Sequence, residues 1–373
     1  MDLSQEKARI WFFTDIHGSN ACFRKLLNLP ATSAKPNVII VGADITGKQI
    51  IPIVEASNKR FSLKVGGITE KIKQSDLSTW ETKLGDIGYY PYVCSQNEYN
   101  SLILSEDKQR EIFDLLAKKR LEEWIALANQ KLPGIEECQF IINAGNDDPF
   151  FVDALLDGCP KFIRPEGKVL DLPGNLKLLS TGYSSITPWK CPRDITEEAM
   201  AEKINEMTSQ LKPGDKFIFN FHCPPYNTSL DEANEIDVKT FKPLPGRKTH
   251  AGSKAVKAAI EVWKPMVGLH GHIHEVRAKQ MIGDTLCFNP GTDYKSGKLQ
   301  GVFLQMDANG IELDRLTEER DPPAKEGINK QDIKKALSNI PGVGKLFEEK
   351  LSRKEIEGVE AKVEQILEIL NKK

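Results

Sequence analysis

Five short segments of this chain carry acidic, amide and histidine side chains, and each directly follows an apolar run of strand length. In chain order the segments are Asp15-Ile16-His17, Gly42-Ala43-Asp44, Gly145-Asn146-Asp147-Asp148, His222-Cys223-Pro224 and Gly271-His272-Ile273-His274. The chain has six histidines, and most of them fall on these segments. Because open α/β sheets place their sites at the carboxyl ends of strands, the pattern predicts an α/β fold whose strand ends share one site.

The spacing within two of the segments favours metal binding. In an extended segment, residues i and i+2 point to the same side. Asp15 and His17 are therefore expected to approach one ion from a single strand end, and His272 and His274 have the same spacing. Mixed carboxylate, imidazole and amide ligands suit manganese, iron or zinc. The sequence has no Cys-x-x-Cys motif to compete for the metal.

The order of these motifs resembles the calcineurin-like metallophosphoesterase superfamily over roughly residues 8–315, and the segments from His222 onward resemble its prokaryotic Icc-like branch. The resemblance implies a four-layer α/β/β/α sandwich with two divalent metal ions. Manganese is the expected metal, and iron and zinc are the alternatives. The ligands implied for one ion are Asp15, His17, Asp44 and His274, and those for the other are Asp44, Asn146, His222 and His272, with Asp44 bridging.

The resemblance also implies a reaction, the hydrolysis of a phosphoester and most often of a phosphodiester. Two cations a few ångströms apart lower the pKa of a water that bridges them and neutralise the phosphoryl oxygens. The bridging hydroxide would then attack phosphorus in line with the leaving oxygen. The leaving alkoxide needs a proton, which a positioned side chain can supply.

Two residues are candidates for the catalytic group that acts on the leaving oxygen. Asp147 stands where most members of the superfamily have a histidine after the asparagine. A carboxylate is anionic at neutral pH unless its pKa is raised, so Asp147 is protonated, or it orients another group, or the substrate has a good leaving group. His250 precedes a predicted helix start, which can hold a phosphate oxygen, although a surface loop histidine is an equal alternative. We expect His250 to supply part of the charge or proton that the histidine after the asparagine provides in most members of the superfamily.

Residues 1–317 are predicted to form the metallophosphoesterase domain. About 100 residues separate the second and third segments, which is more than one crossover helix needs. Residues 50–132 are therefore predicted to be a helix-rich insertion beside the site, with a short strand pair at 61–69. Residues 223–250 are expected to form a long polar loop. The strands at 285–289, 301–306 and 311–316 are expected to form an antiparallel edge.

Residues 324–373 are predicted to form a small helical C-terminal appendage after a charged, proline-containing linker. The segment Ile340-Pro341-Gly342-Val343-Gly344 resembles a helix-hairpin-helix turn, whose backbone amides can contact phosphate; a plain turn between two helices is the alternative. An apolar stripe over 356–370 has heptad-like spacing, which is typical of a core or of a homodimer seam. Nucleic acid is therefore an alternative partner, and a nuclease an alternative function. A further alternative is that the protein is a non-catalytic, metal-stabilised scaffold.

Composition and charge limit which partners and which cell compartment are expected. A net charge of −2 gives no global attraction to nucleic acid or to anionic membranes. The polar N-terminus is not expected to be a signal peptide, and the apolar runs are too short to span a bilayer. Seven scattered cysteines favour reduced thiols. The sequence thus predicts a cytoplasmic protein with a phosphoester substrate and no membrane partner.

Overall fold

The computed structural model describes residues 6–319, apart from Ser57 and Val238. The predicted C-terminal appendage, its phosphate-binding turn and the homodimer seam lie outside the described residues. Among those that are described, no helix is long and apolar enough to cross a bilayer.

The elements of the first half are β1 (Ala8–Phe13), α1 (Asn20–Asn28), β2 (Val38–Val41), β3 (Gln49–Ala56), β4 (Arg60–Val65), β5 (Ile68–Lys73), α2 (Leu77–Asp86), β6 (Tyr89–Cys94), α3 (Gln96–Leu104), α4 (Glu106–Lys131), β7 (Gln139–Ile142), α5 (Phe151–Asp157), β8 (Val169–Leu172) and β9 (Leu176–Thr181). Those of the second half are β10 (Ser184–Ser185), β11 (Asp194–Ile195), α6 (Glu197–Thr208), β12 (Lys216–Phe221), β13 (Glu232–Ile236), β14 (Pro243–His250), α7 (Lys254–Trp263), β15 (Val267–Leu269), β16 (Ala278–Ile282), β17 (Thr285–Asn289), β18 (Leu299–Asp307) and β19 (Gly310–Glu319). Short 3-10 helices cover Leu29–Ala31, Gln74–Asp76 and Tyr294–Ser296.

Two large sheets form the centre of the structure. The first has the strand order β19-β18-β1-β2-β7, in which β1, β2 and β7 are parallel and β18 and β19 form an antiparallel edge. The second has the order β16-β17-β15-β12-β9-β8, with a parallel centre and antiparallel strands at both edges. The carboxyl ends of the parallel strands in each sheet therefore meet at one edge.

One predicted pairing is wrong. The strand at 285–289 was expected to lie on the antiparallel edge with the two strands that follow it, but β17 belongs to the second sheet and runs parallel to β15. Its antiparallel partner is β16, which precedes it across a turn at Gly283 with φ 57°. The residue pattern of a strand shows which faces are buried, but it does not show which sheet the strand joins.

Apolar side chains alternate along the central strands and fill three separate cores. Along β1, Ile10 and Phe12 face the second sheet, whereas Trp11 and Phe13 pack against helices on the opposite face. The outer face of the first sheet is covered by α1, α4 and α5, and the outer face of the second by α6 and α7. The layers are thus helix, sheet, sheet and helix, and the predicted α/β class is confirmed.

The segment between β2 and β7 contains more strand than the sequence indicated. The strand pair expected at 61–69 is present as β4 and β5, but these join β3 and β6 in a four-stranded sheet of order β5-β4-β3-β6. This sheet has a small core of its own that includes Ile53, Leu63 and Leu84. The description of residues 50–132 as helix-rich is therefore incomplete.

The expected loop at 223–250 contains a hairpin, in which β13 pairs with β14. The strands of this hairpin are exposed or half-buried along their length. Because neither face is buried, the hairpin has no apolar alternation by which the sequence could reveal it.

The four-stranded sheet β5-β4-β3-β6 is called the additional sheet below. Helix α4 connects it to the main core through buried polar and aromatic contacts. The ring of Trp124 stacks on Phe23 of α1 at a centroid distance of 4.2 Å, and its indole nitrogen donates to Asn20 Oδ1 at 2.7 Å. One turn earlier, the buried Arg120 donates to the carbonyl oxygens of Gly18 and Tyr89. This helix therefore holds the loop after β1 in place.

Replacing Trp124 with alanine should destabilise the protein by about 3–5 kcal/mol, because the change leaves a cavity against Phe23 and an unpaired Asn20. Trp189→Ala is the matched control, since Trp189 is 55% exposed and its loss should change stability by less than about 0.5 kcal/mol. Urea unfolding of the two variants, followed by circular dichroism, measures the difference. Equal unfolding midpoints would contradict this account of α4.

Candidate metal centre

All seven predicted ligands lie on loops at the carboxyl ends of parallel strands. The loops after β1, β2 and β7 of the first sheet carry Asp15, His17, Asp44 and Asn146. Those after β12 and β15 of the second sheet carry His222, His272 and His274. Except for His272 and His274, whose rings are half-buried, these side chains are almost fully buried. The structure thus brings together residues that are up to 259 positions apart in the sequence.

The loops do not present these side chains by strand alternation. Asp15, His17, Asp44 and His272 have φ angles of 54°, 39°, 51° and 68°, in the left-handed region that residues other than glycine rarely adopt. The extended geometry expected for the Asp15–His17 spacing is therefore wrong, although the two side chains do converge. Such strain is found at functional sites, where the surrounding structure enforces it.

Two glycines allow the loops to approach one another closely. A Cβ atom at Gly145 would lie 1.9 Å from Asp44 Oδ1, and one at Gly271 would lie 2.3 Å from Asp15 Oδ2. Any larger residue at either position would displace a predicted ligand. The glycines of these motifs therefore make room for carboxylates.

The first cluster consists of Asp15, His17, Asp44 and His274, whose candidate ligand atoms all lie within 4.8 Å of one another. The Nε2 atoms of His17 and His274 are 2.9 Å apart. The Nε2 atom of His274 is 3.3 Å from Asp15 Oδ1, and that of His17 is 3.9 Å from Asp44 Oδ2. These nitrogen and carboxylate donors converge as the ligands of a divalent ion do.

The second cluster consists of Asp44, His222 and His272, also within 4.8 Å. The Nε2 atom of His222 lies 3.3 Å from Asp44 Oδ2 and 3.0 Å from Asn146 Oδ1, so the asparagine joins this group. Asp44 belongs to both clusters, which agrees with the bridging position implied by the sequence resemblance. The binding of metal by these residues stays a prediction.

The protonation of the histidines fits cation binding. Burial lowers the pKa of His17 well below its ordinary value and lowers that of His272 to about 3, so both rings are neutral and offer lone pairs at neutral pH. Burial also opposes the charged form of His222, but the carboxylates of Asp44 and Asp15 outweigh it and raise the pKa to about 9. A positive charge is thus favoured at this position, and a bound cation would replace the proton.

Further residues hold the ligands in position, and the sequence analysis missed their roles. The buried carboxylate of Asp148 accepts hydrogen bonds from the amides of Ile45, Thr46 and Gly145, which links the loops of two ligands. The amide nitrogen of Asn146 donates to Asp194 Oδ1 at 3.0 Å. Asp148 lies within a recognised motif, whereas no local signal in the sequence marks Asp194.

The side chain of Asp147 makes an ion pair with Lys48. Its Oδ2 lies 2.5 Å from Lys48 Nζ, and its Oδ1 accepts from the thiol of Cys191 at 2.9 Å. Burial favours the neutral acid, but the Lys48 ammonium outweighs it and holds the pKa of Asp147 well below its usual range. Burial likewise disfavours charge on Lys48, but Asp147 and Asp44 raise its pKa above the ordinary value. Of the three possibilities for Asp147, these contacts favour the one in which it orients another group.

His250 lies outside both clusters. Its Nδ1 is 2.8 Å from Asp231 Oδ1, and its ring contacts that of Tyr226 edge-on at 5.9 Å. The hairpin that carries it is joined to the segment after the last ligands, because Asn234 N donates to Glu275 Oε1 at 2.7 Å. The hairpin therefore contacts the residue that follows His274, and a substrate contact by His250 stays a prediction.

Comparison with known proteins gives a likeness in fold. No protein-family model matches the chain. The uncharacterized protein MJ1162 of Methanocaldococcus jannaschii is 32% identical over 118 residues, which make up 31% of this chain and 48% of that protein. The match thus spans about half of the relative's length.

Two solved structures illustrate the likeness. One crystal structure has a TM-score of 0.50 and 14% identity, and the alignment covers 84% of this chain and 99% of that one. A Streptococcus pneumoniae protein described as a predicted phosphoesterase aligns over 84% of this chain and 99% of its own, with 11% identity and a TM-score of 0.26. At 14% identity, the likeness to the first of these structures concerns the fold alone.

Replacing Asp44 with asparagine should remove bound metal while leaving the fold intact, because this carboxylate is common to both clusters. Elemental analysis of the purified, manganese-loaded variant should find fewer ions per chain than in the wild type, and the metal affinity should fall by at least about 100-fold. Asp171→Asn is the control, since the Asp171 side chain is 74% exposed and pairs with Lys177 on the second sheet. Equal metal content in Asp44→Asn and the wild type would refute the shared position.

Proposed function

We propose that this protein is a metal-dependent phosphoesterase that hydrolyses phosphodiesters. The observation that supports the proposal is the shared position of Asp44, whose carboxylate belongs to two adjacent clusters of metal-ligand type. A carboxylate common to two sites suits a pair of ions, which together can hold both the attacking and the leaving oxygen of a displacement at phosphorus.

Each of the two clusters would bind one divalent ion. Asp15, His17 and His274 would hold one ion, Asn146, His222 and His272 the other, and Asp44 both; manganese is the favoured metal, with iron or zinc as alternatives. When bound, the ions would supply Lewis acidity for the phosphoryl oxygens and for a water nucleophile.

The residues of the chain itself fix the geometry before any substrate arrives. Asp15 is held by Thr14 Oγ1 at 2.7 Å and by the amide of His272 at 3.1 Å. The Nδ1 atom of His17 lies 3.3 Å from Thr46 O, which orients its Nε2 toward the clusters. The hydroxyl of Ser184 lies 3.1 Å from His272 Nε2. Preorganised ligands of this kind need no rearrangement during the reaction.

The preference for a diester over a monoester rests on the resemblance of the motifs. The charges of the site do not decide it, because two divalent ions would carry more charge than the carboxylates of Asp15, Asp44 and Asp147 together.

Activity should appear with a panel of substrates that comprises an aryl phosphomonoester, an aryl phosphodiester, cyclic nucleotides and single-stranded nucleic acids, each assayed with manganese, iron and zinc. We expect hydrolysis of the diesters in preference to the monoesters, and none by Asp44→Asn. Preference for nucleic acid, with an affinity that falls steeply as salt rises, would identify a nuclease instead. No turnover of any substrate with any metal, despite bound metal, would indicate a scaffold and refute the proposal.

Replacing His250 with alanine should slow hydrolysis of a diester with a poor leaving group by about tenfold, which is less than a full general acid supplies. Asp231 holds Nδ1, so Nε2 is the nitrogen that can face a substrate. Rates on p-nitrophenyl and alkyl diesters measure the effect, and Tyr226→Phe is the control for the packing of the hairpin. Wild-type turnover of the alkyl diester by His250→Ala would remove this residue from the mechanism.

A further inference from the structure

Lys48 carries a positive charge close to the metal centre but is not a ligand of it. Its Nζ lies 2.5 Å from Asp147 Oδ2, and the backbone amide of the same Asp147 donates to Asp44 Oδ1 at 3.1 Å. The ammonium is therefore one residue removed from the carboxylate that both clusters share. The Lys48 side chain is also 42% exposed, so a bound anion can reach it.

The backbone before Lys48 is fixed at several points. The amides of Ile45 and Thr46 donate to the buried Asp148, and the amide of Gly47 donates to the hydroxyl of Tyr90 at 2.8 Å. A Cβ at Gly47 would lie 2.3 Å from Gly88 O, so the chain packs closely against the additional sheet at this point. Lys48 directly precedes β3, and the additional sheet thus helps to set its position.

Asp147 is placed to orient the lysine, not to donate a proton. One of its oxygens accepts from the Cys191 thiol at 2.9 Å, which leaves the other for the ammonium. A lysine side chain is flexible and carries its charge as a point, so an anchoring carboxylate reduces the range over which the charge moves. The pair therefore places a cation in the position where Asp147 alone would place an anion.

We propose that Lys48 is a substrate-binding residue whose ammonium contacts an oxygen of the phosphoester on its leaving side, and that Asp147 is the positioning residue for it. The inference rests on the proposed phosphoesterase function and names a group that would stabilise the developing negative charge. It also gives the additional sheet a role, which is to hold this lysine at the site.

The test compares Lys48→Met, Lys48→Arg and wild type as full-length, manganese-loaded proteins. For a series of aryl phosphodiesters with increasingly poor leaving groups, Lys48→Met should lose about 100-fold in kcat/KM on the poorest and much less on p-nitrophenolate. Lys48→Arg should recover part of the loss because it restores the charge. An equal loss across the series, or no loss, would overturn the proposal.

The control is Lys279→Met, which also removes a lysine from an ion pair of similar exposure: the side chains of Lys279 and Asp314 are 49% and 25% exposed, against 42% and 22% for Lys48 and Asp147. This pair lies between β16 and β19, away from the ligand loops. Lys279→Met should keep wild-type rates. Elemental analysis should find the same metal content in all these variants.

A double-mutant cycle tests the role of Asp147. Asp147→Asn should reduce kcat/KM on the poor leaving group less than Lys48→Met does, and the double variant should be no worse than Lys48→Met alone. Additive losses would show that Asp147 acts independently of the lysine. A raised rate in Asp147→Asn would show that its carboxylate only repels substrate.

A binding measurement separates this inference from the proposed function. Inorganic phosphate titrated into each protein by calorimetry should bind about tenfold more weakly to Lys48→Met than to wild type, and with unchanged affinity to Lys279→Met. If wild type hydrolyses no phosphoester, the proposed function fails, and phosphate affinity still decides whether Lys48 contacts the anion. Equal phosphate affinity in Lys48→Met and wild type would overturn the inference even in an active enzyme.

Discussion

The carboxylate of Asp148 is the contact on which the geometry of the site most depends. It is fully buried and accepts from the amides of Ile45, Thr46 and Gly145, and from the Thr46 hydroxyl at 2.5 Å. A buried charge without partners is strongly destabilising, whereas one that is fully hydrogen-bonded is tolerated and fixes its neighbours. Asp148 thereby fixes the loop after β2 to the loop after β7.

Four of the predicted ligands occupy strained backbone conformations, which other parts of the structure must stabilise. Each left-handed non-glycine residue costs on the order of 1–3 kcal/mol, and Asp15, His17, Asp44 and His272 all adopt one. Two sheets with a continuous apolar layer between them supply the stability that maintains these loops. The stack of sheets thus supports the loops on which the predicted ligands converge.

The sequence identified the parts of this structure whose signals are local. The bounds of β17 agree with the strand expected at 285–289, because it is an apolar run that ends at a turn. The seven predicted ligands could be named because each follows an apolar run of this kind. What the sequence could not show is pairing between distant residues. The sheet that β17 joins is one example, and the contact of Lys48 with Asp147, 99 positions later, is another.

The exchange of a histidine for Asp147 shows why a motif must be interpreted together with its neighbours in space. Taken alone, the exchange would place an anion beside the phosphate of the proposed substrate, which would disfavour catalysis. In the folded protein the carboxylate is paired with an ammonium, so the pair as a whole is neutral and its positive end is the more exposed. In the proposed role the two residues act together, because Asp147 would direct the ammonium of Lys48 and Lys48 would offset the charge of the carboxylate. The two positions therefore form one unit, whose parts come from the loop after β7 and from the segment that opens the additional sheet.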